Sequence, residues 1–73
     1  MSTRDRIISL ARMAEKSPDS VGVLSTGERC AVGLLCNRAD FLPGNYTFLE
    51  AVARLEGDWL AACIEVDRQG WRE

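Results

Sequence analysis

Cys30, Cys36 and Cys63 are the side chains of this sequence best suited to nucleophilic or metal chemistry, and their spacing supports neither. A structural zinc site needs four ligands, whereas the chain holds three cysteines and no histidine. Cys30 and Cys36 stand six positions apart on one expected helix. That places them roughly 240° apart around its axis, too far round to close on one ion. Small buried hydrophobes are the better reading of all three. Without histidine there is no default base near neutral pH. The carboxylates Asp58, Glu65 and Asp67 are near one another in sequence, but their alternation with other charged positions marks a solvated face. Glu50 and Arg54 have the i,i+4 spacing of a helix surface pair. No phosphate loop or nucleophile elbow is present. The expectation is a non-enzymatic chain with no catalytic residue, no metal and no cofactor.

Size and composition bound the rest. Seventy-three residues make one small domain, and chains of this length bury only about 60% of their unfolded surface. An apolar fraction of 47% argues for folding, and for more apolar surface than one small core can hide. Net charge is −2, without the basic excess of most nucleic-acid binders. It is unevenly spread: residues 1–38 carry six basic and four acidic side chains, residues 39–73 three and seven. No stretch resembles a signal peptide or a membrane span. An odd set of cysteines without framework spacing fits a reducing cytoplasm.

Helix starts are the strongest local signals. Ser25-Thr26-Gly27-Glu28 and Thr47-Phe48-Leu49-Glu50 have the reciprocal capping-box spacing, and Ser2-Thr3-Arg4-Asp5 is a weaker version. A first helix at about 3–15 places Ile7, Leu10, Ala11 and Ala14 on one stripe and ends before Ser17-Pro18. Val21 to Leu24 reads as a packed apolar linker. A second helix at about 26–37 buries Cys30, Ala31, Leu34 and Leu35, with Val32 and Cys36 to the sides. Gly33 in its middle costs roughly 1 kcal/mol against alanine, which a close helix–helix approach would justify. Between Arg38 and Asn45 the turn residues make a loop, with Phe41 and Leu42 plugging the core.

Beyond Thr47 the apolar residues form two adjacent stripes. One is Phe48, Val52, Leu55, Trp59, Cys63 and Val66; the other is Leu49, Ala53, Leu60 and Ile64. A break at Gly57-Asp58 predicts two helices, at about 47–56 and 58–68, meeting at a corner; a continuous helix is the alternative. A segment this broadly apolar must be covered from two directions. The fold class expected is therefore all-α, three or four short helices in a compact bundle. Its core is Ile7, Leu10, Leu34, Leu35, Phe48, Val52, Leu55, Trp59 and Cys63, and it dimerises through Leu49, Ala53, Leu60 and Ile64.

A helix-turn-helix reading meets two obstacles. The helix after Gly57 begins Trp59-Leu60-Ala61-Ala62 rather than with polar side chains for a groove. The second and third helices are also about nine residues apart, too far for a three- or four-residue turn. Trp71 either docks on the core or anchors a partner, and tryptophan with arginine dominates interface energies when exposed.

The runs Ser25-Thr26-Gly27-Glu28-Arg29 through Arg38-Ala39-Asp40, and Tyr46-Thr47 to Trp59-Leu60-Ala61-Ala62, resemble small phage- and prophage-encoded helical proteins of GC-rich proteobacteria. The likeness spans about residues 25–62 and includes no functional motif. It implies binding that disables or redirects a host protein. The leading expectation is a protein-binding module, an inhibitor or regulator of a host protein, acting through Trp71, Arg68, Arg72, Glu65 and Asp67. The alternative is a small DNA-binding transcriptional regulator whose Arg4, Arg12 and Lys16 track the phosphate backbone.

Overall fold

The computed structural model describes residues 2–71. Side chains fix the starts of the first three α-helices. Ser2 accepts from the Asp5 N–H at 3.2 Å and opens α1 (Thr3–Lys16). At α2 (Thr26–Cys36) the Ser25 hydroxyl accepts from the Glu28 N–H, and the Ser25 N–H donates to the Glu28 carboxylate at 2.9 Å. Thr47 and Glu50 repeat the arrangement at α3 (Phe48–Leu55), with the return bond at 2.8 Å. Such boxes satisfy amide groups that a helix end leaves without intrahelical partners.

The expected break is present. Gly57 has φ +107 and ψ −143, a region that side-chain-bearing residues rarely enter. It ends α3 after the cap residue Glu56 and starts α4 (Asp58–Gln69) in a new direction. The chain is all-α, as expected, with principal extents of 28 × 26 × 19 Å.

Two short 3-10 helices occupy the connections. Pro18–Val23 is helical through most of the expected packed linker at Val21 to Leu24: Pro18 stands in its first turn, where a missing N–H costs nothing. Val21 is buried there while Val23 faces outward at 85% exposure. Ala39–Phe41 forms the second, and it delivers Phe41 and Leu42 fully into the core. Burial on that scale is worth roughly 1.5–3 kcal/mol per large side chain. Arg29 holds the same loop by donating to the carbonyls of Phe41 and Leu42, at 3.1 and 3.4 Å.

α2 packs against α1, α3, α4 and the second 3-10 helix. Val32 and Cys36, expected at its sides, are therefore buried with Cys30, Ala31 and Leu35. Gly33 is explained differently from the sequence reading. A methyl group there would collide with the side chain of Leu42, so the close neighbour is the loop and not another helix.

α1 and α4 run parallel. Arg4 near the start of α1 pairs with Glu65 of α4 at 2.9 Å, and Arg12 further along reaches the Trp71 carbonyl. Gly70, in the left-handed region at φ +77, turns the chain so that Trp71 packs into the core.

The expected core holds for Ile7, Leu35, Leu55 and Cys63, and Leu10, Leu34 and Trp59 are half-buried. Phe48 and Val52 depart from it, 38% and 36% exposed. α3 instead buries Ala51 and Leu55. The turn at Gly57 rotates the two helices independently, so the stripe read through both cannot stay inward along its length.

Candidate protein-binding face

The residues that α3 leaves uncovered form one patch. Leu49, Val52 and Ala53 are spaced i, i+3, i+4 and therefore neighbour one another on a single helical face. All three are exposed, Leu49 at 81%. From α4, Ile64 is 46% exposed and Leu60 half-buried. Between the two helices and the end of α2 runs a groove of about 260 Å³, its walls formed by Leu34, Val52, Leu60 and Ile64. Asp67 and Arg68 form its charged end. The four residues expected on the dimer face, Leu49, Ala53, Leu60 and Ile64, thus lie on or beside this groove. The sequence reading missed the contribution of Val52 and Phe48, because it assigned them inward.

Of the expected partner-binding set, Glu65, Asp67 and Arg68 are exposed on α4 and Trp71 is not. Trp71 is only 6% exposed, its ring part of the core rather than an anchor for a partner. Glycine in the left-handed conformation at Gly70 is what folds it back. Glu65 is engaged with Arg4, Asp67 and Arg68 belong to the groove, and Arg72 lies outside the described residues. Two of the three residues considered for DNA are bonded within the chain. Arg4 pairs with Glu65, and Arg12 donates to the Trp71 carbonyl through both Nε and Nη2. Lys16 is exposed in the last turn of α1.

A larger, open cleft of about 530 Å³ lies where four helix ends meet, and no local pattern announced it. Arg6, Glu28, Arg54, Glu56, Asp58 and Trp59 surround it. Arg6 and Glu28 pair at 2.6 Å on one wall. The Ser25 backbone N–H, and then Arg6, hold the Glu28 carboxyl below its ordinary range. Glu28 is therefore ionised and structurally engaged, which unfits it as a proton donor. With both signs of charge in the open, nothing there selects a ligand.

The thiols are quiet. Cys30, Cys36 and Cys63 are buried and none is in a disulfide, and desolvation pushes Cys63 up to about 11. A thiol so shifted carries almost no thiolate at neutral pH. Burial raises Cys30 as well. Among the described residues no three metal-ligating side chains converge, and no helix is long and apolar enough to cross a membrane. No family model matches this chain, and no curated protein or solved structure proves significantly similar to it.

Proposed function

We propose that this chain is a non-enzymatic protein-binding module that docks through the outward apolar face of α3 and α4. One observation carries the reading: Leu49 stands 81% exposed in a contiguous patch with Val52 and Ile64. Contiguous apolar surface beside a groove marks an interaction site, whereas single exposed hydrophobes do not. Val23 supplies the contrast, equally exposed but alone on its 3-10 helix. The resemblance to small phage-encoded proteins supplies the biological form of such binding, the inhibition or redirection of a host protein. Three cysteines outside any disulfide fit a reducing compartment such as the cytoplasm. A DNA-binding role draws on no specific observation, since Arg4 and Arg12 are bonded within the chain and net charge is −2.

A photo-crosslinking residue placed at position 49, with one at position 23 as control, tests the face. Protein adducts, with a copy of the chain or with another protein, are expected from position 49 and not from 23. Equal yields from both positions, or none from 49 in the native cell and at micromolar purified concentration, would overturn it.

A further inference from the structure

We propose that the occupant of this face is a second copy of the chain, related by a two-fold axis passing beside Asp67 and Arg68. The inference rests on the docking face just described and adds what docks there. Two features make the face self-complementary. Leu49 projects from α3 as a knob, and the neighbouring groove lined by Leu34, Val52, Leu60 and Ile64 offers an apolar slot. A two-fold contact is isologous: whatever one copy inserts, the other inserts in return.

The charges at the groove end agree. Arg4–Glu65, Arg6–Glu28 and Arg38–Asp40 are ion pairs within the chain, while Asp67 and Arg68 make none among the described residues. Adjacent residues of opposite sign present the same pair to a two-fold mate in reversed order. Asp67 of each copy then faces Arg68 of the other, giving two equivalent bridges at the edge of an apolar contact. The low end of stable interfaces removes ~600 Å² from each partner, about an eighth of this chain's 4605 Å².

Sedimentation equilibrium over the micromolar range, on the full chain and on charge variants, decides it. The expected mass is twice the 8.1 kDa of one chain. Asp67→Arg and Arg68→Asp each set like charges against each other across the axis, and each should weaken association at least about tenfold. The double exchange D67R/R68D restores opposite signs at both bridges and should recover most of the loss. Both residues are exposed, so circular dichroism of each variant should match the parent. Leu49→Glu provides a second test, abolishing association by placing a charge in the slot. A mass of 8.1 kDa throughout overturns the inference, and so does a dimer that the double exchange fails to restore. If position 49 still crosslinks to a different protein in the first case, the docking face stands without the self-association. A dimer indifferent to Leu49→Glu overturns self-association through this face, and crosslinking from position 49 then decides the docking face alone.

Discussion

Arg12 donates two hydrogen bonds to the backbone carbonyl of Trp71, from Nη2 at 3.0 Å and Nε at 3.3 Å. One guanidinium in the middle of the first helix thereby holds the segment that follows the last. Gly70, in the left-handed region, turns the chain inward from α4, and the Arg12 bonds hold the Trp71 backbone beside α1.

Arg12→Ala should therefore lower unfolding free energy by about 1–2 kcal/mol, the scale of a partly exposed hydrogen bond to a charged group. It should also move Trp71 toward water. Tryptophan emission in a Trp59→Phe background measures this directly, and a red shift is expected. Unchanged emission with unchanged stability would show that the contact holds nothing.

Gly33→Ala opposes two known effects. Helix propensity favours alanine by about 1 kcal/mol. The new methyl, however, meets Leu42, which is too well buried to swing aside, and approaches the Arg38 carbonyl within 3.3 Å. Overpacking of that kind costs roughly 1–3 kcal/mol, so a net loss is expected. In a Leu42→Ala background the same substitution should become neutral or stabilising. Urea unfolding of the four proteins in the cycle checks the coupling.

Glu28 supplies an acid-sensitive element. Its folded carboxyl titrates below the ordinary value of 4.5, chiefly through the Ser25 N–H and next through Arg6. A group with a depressed folded pKa contributes stability above its unfolded value and loses it as pH falls through the folded one. Glu28→Gln should be less stable than the parent at neutral pH, and the gap should close once the pH is well below 4.5. A gap that persisted in acid would mean that the carboxylate charge is not the source.

Ser20 presents the reverse case. Its hydroxyl is buried without a hydrogen-bond partner among the described residues, and such a group costs roughly 1–3 kcal/mol in lost hydration. Ser20→Ala removes the hydroxyl and should raise stability by about 1 kcal/mol. Thermal unfolding would register the change as a higher midpoint, and a lower one would contradict the assignment.

Local chemistry made some of this fold readable in advance. Ser25–Glu28 and Thr47–Glu50 are contacts across three residues, so their spacing alone specifies them. The turn at Gly57 was legible for the same reason, since only the backbone at that residue is involved. What failed depended on distant partners. Which arc of α3 faces inward is set by its angle to α2 and α4, and that angle put Ala51 where Phe48 and Val52 were expected. Gly33 was recognised as a point of close approach, but Leu42 comes from a loop whose path no periodicity encodes. The apolar face was visible as surplus hydrophobicity on the second stripe. Trp71, left open between docking and exposure, was decided by one glycine dihedral and an arginine 59 positions upstream.

The parallel pairing of α1 with α4 also fixes an order of events during synthesis. Arg4 finds Glu65 and Arg12 finds Trp71 only across 61 and 59 residues of chain, nearly the full length. Contacts so remote in sequence are slow to form. α1 emerges from the ribosome before α4, and on that flank it has nothing to lie against until α4 has been translated. Until α4 arrives, α2 and the first 3-10 helix give its apolar stripe what cover it has.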